Sequence, residues 1–242
     1  IEVAALPYDV MNSQEARIMV QGNPNSFLHV DRAEIDLPQD TDLYAPEVYQ
    51  KARENLDRLL AHEICFMEQA DCFYIYRQEM NGRVQTGLVG CASIDDYLEN
   101  RIKKHEHTRA AKEQDRIRHV DACNANTGPI FLTSKPNEAL SGTMQAWTAA
   151  HKPVYDVVRD GVHQWVWVVD QADTIKSLRE LLSKAESLYI ADGHHRCASA
   201  VKVGQKRRAE DPGFTGEEAF NFFLSVIFPS DTLEIIDYNR VV

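Results

Sequence analysis

The sequence predicts an α/β or α+β fold, in which helices flank a mixed β-sheet. Three observations predict it. Apolar runs rich in β-branched and aromatic residues alternate along the chain with segments of helical periodicity. The dipeptide Asn81-Gly82 joins two such runs, as expected of a hairpin turn that needs positive φ. The run "SLYIAD" lies between two predicted helices, as a sheet strand would.

Two helices are predicted in the first quarter of the chain. Asn12 stands three residues before Glu15, the spacing of a capping box, and apolar residues follow. Pro46 stands where a first helical turn tolerates proline. The apolar face of this second helix is predicted to carry Val48, Ala52, Leu56, Leu59 and Leu60.

The later elements follow from the same patterns. Strands are predicted in "HQWVWVVD" and "SLYIAD", with the helix "TIKSLRELLSKA" between them, and "FNFFLSVIF" is another buried apolar run. The longest linker-like stretch is "TSKPNEALSGT" at 133–143. No clean domain boundary is visible, so we expect a single α/β domain over residues 1–242. Because the chain opens at Ile1 and stops in an apolar stretch, we expect a C-terminally truncated fragment.

Composition excludes some classes of function. Lys and Arg number 26 against 37 Asp and Glu, a formal charge of −11, which disfavours a nucleic-acid partner. The five cysteines form no C-x-x-C pair, so we expect neither a disulfide framework nor a zinc ribbon, and a reducing cytoplasm fits best. No run of 18 apolar residues occurs, so no membrane partner is expected.

The segment "RIKKHEHTRAAKEQDRIRHVDACNANTGPIFL" contains a second pattern. On one helix, five basic or imidazole residues would share a face, because they are three or four positions apart. The pattern suits a solvated face, or a stripe that binds phosphates or a carboxylate by charge-assisted hydrogen bonds. The five residues are His105, Arg109, Lys112, Arg116 and His119.

The stretch "YIADGHHRCA" at 189–198 is the strongest candidate for a site. It lies between a predicted strand and a helix that continues through "CASAVKVGQKRR". Amide groups at a helix N-terminus favour an anion, and Gly193 permits close approach. Asp192 could bind a metal ion, orient a hydroxyl or simply cap the helix. Zinc is disfavoured, since His194 and His195 are adjacent and further ligands are not visible nearby.

Several long motifs resemble a bacterial and archaeal family catalogued as a domain of unknown function. They are "LPYDVMNSQEAR", "GNPNSFLHVDRAEIDLP", "IKKHEHTRAAKEQDRIRH", "NTGPIFL" and "ADGHHRCASA". The family looks related to the free serine kinases of SerK type, and more distantly to the ParB N-terminal domain and sulfiredoxin. This resemblance implies a ParB/sulfiredoxin-like core with a large insertion, an inserted lobe at about 70–170.

The resemblance also implies roles for the turn. Gly193, His195 and Arg196 would contact nucleotide phosphates, with Asp192 and His194 nearby for metal or substrate. Apart from the resemblance, the helical spacing described above predicts that His105, Arg109 and Lys112 join them as cofactor-binding residues. Sulfiredoxin chemistry needs a cysteine before the His-Arg pair, and His194 stands there instead, so the thiol mechanism is disfavoured.

Serine kinases use an N-terminal glutamate to position or deprotonate the substrate hydroxyl. Asp9 and Glu15 are the candidates here, and Glu15 has the alternative role of capping partner. We therefore expect a nucleotide-dependent kinase that uses ATP or ADP with Mg²⁺ on a small hydroxylated metabolite such as free serine. The alternative is a ParB-like nucleotide-binding switch with slow or no turnover. The expected partners are the nucleotide and a small-molecule substrate, and a homodimer is left open.

Overall fold

The computed structural model describes residues 2–106 and 110–234. The chain divides into two compact units, each assembled from three segments. The helical unit comprises Ile1–Gln69, Glu106–Pro129 and His194–Phe223. The sheet unit comprises Ala70–His105, Ile130–Gly193 and Leu224–Val242.

Regular elements alternate along the chain, as the sequence predicts. The α-helices of the described residues are α1 (Ser13–Met19), α2 (Leu28–Asp31), α3 (Pro46–Ala61), α4 (Ile94–Leu98), α5 (Ala110–Cys123), α6 (Glu138–Ala150), α7 (Ala172–Ser183) and α8 (His194–Glu210). The strands are β1 (Phe73–Met80), β2 (Arg83–Ser93), β3 (Ile102–Lys103), β4 (Ile130–Ser134), β5 (Tyr155–Arg159), β6 (Val162–Val169), β7 (Leu188–Asp192) and β8 (Phe222–Pro229). Short 3-10 turns cover Tyr8–Val10, Ala33–Asp36, Ala219–Asn221 and Ser230–Thr232.

The strands form one mixed sheet in the order β3-β7-β4-β8-β2-β1-β6-β5. β3 pairs with β7 and β4 with β8 in parallel, while β4 and β7 are antiparallel. β2, β1, β6 and β5 are antiparallel, as two hairpins joined through the pairing of β1 with β6. The predicted hairpin is confirmed, since Asn81 and Gly82 link β1 to β2 with φ of 54° and 76°.

One face of this sheet packs against α6 and α7. Alternate residues of β1, β2 and β6 point into this layer, because side chains alternate along a strand. Trp147 of α6 also donates from Nε1 to the carbonyl of Val168 at 3.0 Å, which satisfies the indole. The buried members of this core are Ile75, Leu88, Leu140, Met144, Trp147, Trp167, Val169 and Leu178.

The helical unit has its core around α3. Val48, Ala52 and Leu59 are buried with Val30, Ala33 and Cys123, and Pro46 opens the helix as predicted. Leu60, predicted on the apolar face, is instead 38% exposed, since it follows Leu59 by one position and turns to the next side of the helix. A smaller cluster of Ala16, Leu28 and Ile35 holds α1 and α2 together.

The linker-like interpretation of residues 133–143 is wrong. β4 runs to Ser134, and α6 begins at Glu138 with Asn137 as its N-cap. The Asn137 side chain accepts a hydrogen bond from the Leu140 amide at 3.1 Å. The turn-forming residues therefore mark a short connection and a helix start, because asparagine serves both purposes.

The predicted fold class is confirmed: the chain is a mixed α/β protein, whose described residues form an eight-stranded mixed sheet with flanking helices. The ParB/sulfiredoxin-like core, the single domain and the inserted lobe at about 70–170 stay predictions. Within residues 2–106 and 110–234, no helix is long and apolar enough to cross a membrane.

Candidate anion-binding site

The predicted strand-to-helix turn is present at 192–194. β7 ends at Asp192, Gly193 has a φ of 90°, and α8 begins at His194. This φ lies in the left-handed region, which disfavours residues with a Cβ, so glycine is needed at this point. The turn leads directly into the N-terminus of α8, the end of a helix whose dipole favours an anion.

The start of α8 is fixed against α5 within the helical unit. The Ser199 hydroxyl is within hydrogen-bond distance of two carbonyl oxygens, that of His195 at 2.7 Å and that of Glu113 at 3.1 Å. Lys202, one turn further on, pairs with the buried Glu113 carboxylate. These contacts hold the first turns of α8 in place. A ligand bound at the start of the helix needs this part of the chain to be held in one position.

The three side chains that open α8 have different surroundings. His194 is buried, and its Nδ1 lies 3.7 Å from the Glu106 carboxylate. His195 is partly exposed, but its Nδ1 is buried and has no hydrogen-bond partner among the described residues. Arg196 donates from Nη1 to the carbonyl of Pro129 at 2.6 Å, which ties the helix start to the segment before β4.

A carboxylate that the sequence analysis did not single out lies near these cations. Asp31 ends α2, and burial raises its pKa to about 6. The hydrogen bond from the Thr127 side chain and the charges of Arg116 and Arg196 act in the opposite direction, and Asp9 adds to the rise. With a pKa of about 6, the Asp31 carboxyl titrates close to neutral pH.

Arg116 is the second arginine that acts on Asp31. Its side chain is 11% exposed, and its Nε and Nη2 lie 3.0 and 2.8 Å from Oδ2 of Asp115. Its Cζ stands 4.3 Å from the centre of the Tyr8 ring, a cation–π contact. Arg116 and Arg196 both interact electrostatically with Tyr8 and Asp31. We call Tyr8, Asp31, Arg116, Thr127 and Arg196 the arginine–aspartate cluster.

The two predicted catalytic acids occupy different positions. Asp9 is exposed in the turn Tyr8–Val10 and adds to the field at Asp31. Glu15 forms the predicted capping box: its carboxylate accepts from the Asn12 amide at 2.8 Å, and the Asn12 side chain accepts from the Glu15 amide. Glu15 also lines a groove of about 350 Å³ whose other lining residues are apolar. That surface is unsuited to a phosphate.

The predicted basic stripe exists only in part. His105 lies outside any helix, before α5, and Arg109 falls outside the described residues. Lys112 is exposed on α5. His119 is buried, and its Nε2 bonds to the carbonyl of Val30 at 2.9 Å. Burial and Arg116 lower the pKa of His119 to about 4, so it is neutral at pH 7 and cannot act as a cationic anion ligand. The stripe is therefore wrong for His105 and His119.

Asp192, predicted as a metal ligand, ends β7 opposite Phe131 of β4 and is exposed. Across residues 2–106 and 110–234, no three or more His, Cys, Asp or Glu side chains are grouped so that they could hold a metal ion. A magnesium ion with a single protein carboxylate needs no such group, because it keeps most of its water ligands.

The arrangement brings two arginines, a helix N-terminus and one protonatable carboxyl together in the same unit. Sequence reasoning found Arg196 and the helix start but missed Asp31, Thr127 and Tyr8. Each of the three lies within a motif that carried the family resemblance, "GNPNSFLHVDRAEIDLP", "NTGPIFL" or "LPYDVMNSQEAR". Those motifs were the available signal.

The fold and the cluster define a mixed α/β protein with an anion-binding candidate site in its helical unit. The chain belongs to the DUF1015 family, whose description is "protein of unknown function" and whose family model matches residues 1–242. No curated protein and no solved structure matches the chain.

Proposed function

We propose that this protein binds a nucleotide and transfers its terminal phosphoryl group to a small hydroxylated metabolite such as free serine. The observation that carries the proposal is the convergence of Arg116 and Arg196 on Asp31. Phosphoryl transfer is catalysed mainly by positioning the reactants and by stabilising the charge on the phosphoryl oxygens. Arginines and a nearby carboxylate are side chains that such sites use.

Phosphate binding is supported by three features of the first turn of α8. The helix dipole at this N-terminus favours an anion. The buried Nδ1 of His195, unpartnered among the described residues, suits a hydrogen bond to a phosphate oxygen. The Arg196 guanidinium bonds to Pro129 through Nη1, and its planar fork is suited to phosphate oxygens. Gly193 would allow close approach, as the resemblance implies.

Magnesium is part of the proposal through Asp192, the carboxylate that precedes the turn in the chain. When bound, the ion would neutralise charge on the phosphates. A single carboxylate ligand together with phosphate oxygens suits Mg²⁺ in nucleotide sites.

Asp31 is the proposed general base, in place of Asp9 and Glu15. A general base that titrates near the working pH is ionised in enough molecules to accept a proton. It is also basic enough to draw the proton from the substrate hydroxyl in the transition state. In the step, the Asp31 carboxylate takes the hydroxyl proton while the hydroxyl oxygen forms the new bond to the terminal phosphorus. The bond from that phosphorus to the bridging oxygen breaks. The shortened nucleotide leaves with the electron pair of this bond on its oxygen.

The test is to incubate the protein with ATP or ADP, Mg²⁺ and serine or a pool of amino acids and sugars, and to detect phosphorylated product by mass spectrometry. We expect Asp31→Asn to lower product formation by about 10²- to 10⁴-fold, because a general base contributes about that much. Nucleotide-dependent thermal stabilisation should persist in this variant, since Asp31 carries no attraction for phosphate.

Arg196→Ala should abolish the nucleotide-dependent stabilisation. The matched control is Lys206→Ala, which removes a cation from the same helix three turns further on, where Lys206 pairs with Asp121 and Glu210. Stabilisation without product would overturn the kinase proposal and favour the ParB-like switch. A wild-type protein that no nucleotide stabilises would overturn both.

A further inference from the structure

A hydrogen-bonded chain runs from the core helix α3 to Arg116. The Tyr49 side chain is buried, and its hydroxyl donates to Oδ1 of Asp115 at 2.9 Å. Oδ2 of the same carboxylate accepts from Nε and Nη2 of Arg116. Asp115 is therefore held on one oxygen by the core and holds the arginine with the other.

The opposite constraint on Arg116 comes from an aromatic ring. The Tyr8 ring lies against the guanidinium face, 4.3 Å from Cζ. An edge fixed by Asp115 and a face fixed by Tyr8 leave the planar group one orientation. Nε and Nη2 contact Asp115, so Nη1 lies on the side of the guanidinium away from this carboxylate.

This pairing is not the usual arrangement on a helix. Neighbouring residues of a helix point in different directions, and stable ion pairs form between positions three or four apart. Asp115 and Arg116 are adjacent, so their contact requires a third group to orient the carboxylate. Tyr49 does so as a donor at any physiological pH, because burial and the Asp115 charge raise the pKa of its phenol to about 12.

We propose that Tyr49 is a positioning residue: through Asp115 it holds the Arg116 guanidinium in the orientation that stabilises the transferring phosphoryl group. This inference rests on the proposed function. Misorientation of a stabilising group lowers the rate of the chemical step more than ground-state binding, because charge develops on the phosphoryl oxygens only in the transition state.

The experiment compares kcat and nucleotide KM for the wild type, Tyr49→Phe, Arg116→Lys and the double variant. Tyr49→Phe removes one oxygen and keeps the ring, so we expect kcat to fall about 10- to 100-fold with KM changed less than about twofold. Tyr44→Phe is the matched control, since Tyr44 is exposed in the turn before α3 and should keep wild-type kcat. In the Arg116→Lys background, Tyr49→Phe should have no further effect.

Three results would overturn this inference or the proposed function. Wild-type turnover with an unchanged kcat in Tyr49→Phe would overturn this inference alone. An equal further loss in the Arg116→Lys background would also overturn it, because Tyr49 would then act independently of the arginine. A wild-type chain without turnover would overturn the proposed function and this inference with it.

Discussion

Burial sets the protonation of single side chains in the helical unit. It raises the pKa of Asp31 to about 6 and, with Arg116, lowers that of His119 to about 4. In both cases removal from water disfavours the charged form. The neighbours differ. His119 bonds to a carbonyl and is a neutral core residue, whereas Asp31 interacts electrostatically with Arg116 and Arg196.

His29 gives a pH-dependent prediction at this scale. Its Nδ1 lies 2.9 Å from the Asp36 carboxylate, and this hydrogen bond raises the pKa of His29, while burial and Arg58 act in the opposite direction. A raised folded pKa means that protonated His29 stabilises the fold below its ordinary value of 6.5, and that this contribution is lost as pH rises through the folded pKa. His29→Gln should therefore cost about 1 kcal/mol at pH 6 and progressively less towards pH 9.

Urea unfolding at a series of pH values measures this difference. Asp36→Asn should remove the same pH dependence, because it removes the partner that raises the pKa of His29. Asp31 titrates in the same range, but it is present in all three proteins and cancels from the comparison. A wild-type advantage that is constant or grows from pH 6 to 9 would contradict the assignment.

At the scale of elements, small residues decide how closely helices and strands approach. In α8, Ala198, Ser199 and Ala200 are buried, and Ser199 bonds to the backbone of α5. In β2, Gly90 faces the Phe73 ring of β1, and a Cβ at this position would lie 2.6 Å from that ring. Such contacts leave no space for a methyl group.

Gly90→Ala should therefore lower the free energy of unfolding by about 1–3 kcal/mol, because the ring or the strand must move. Gly142→Ala is the matched control. Gly142 lies within α6, and a Cβ there meets nothing within 4 Å, so alanine should raise stability by about 0.5–1 kcal/mol. Urea denaturation of both variants tests the pair. A Gly90→Ala protein as stable as the wild type would refute the packing argument.

At the scale of the whole molecule, each unit is built from three separate segments of chain. The sheet order places β7 between β3 and β4, and β8 between β4 and β2. Strands that are distant in the chain are therefore neighbours in the sheet. Contacts of this kind depend on loop closure over long stretches of chain.

The fragment 70–170, the predicted inserted lobe, should consequently fail to fold like the intact chain. It lacks β7 and β8, so β3 loses its neighbour β7, and β4 loses its neighbours β7 and β8. It also lacks α7, which supplies the buried Leu178 to the core of the sheet unit. We expect no cooperative urea transition by circular dichroism, in contrast to the chain 1–242. A fragment with a sharp transition would show that the antiparallel strands β2-β1-β6-β5 fold without the rest of the sheet.

The sequence by itself determined the features that depend on neighbouring residues. The Asn12 capping box, the Asn81-Gly82 hairpin and the glycine turn before α8 follow from local backbone and side-chain geometry. For the same reason Arg196 could be named as a candidate anion ligand from its place at a helix start. The interpretation of residues 133–143 as linker-like was wrong because the residues that form turns also cap helices.

Only the tertiary structure decided which carboxylate meets the arginines. Asp31, Arg116 and Arg196 lie far apart in the chain, and no local pattern distinguishes Asp31 from Asp9 or Glu15. Packing of the helical unit brings the three together and buries Asp31, and that burial raises its pKa. Since burial and long-range contact are properties of the folded chain, the sequence could predict the strand-to-helix turn but not the candidate base proposed to act with it.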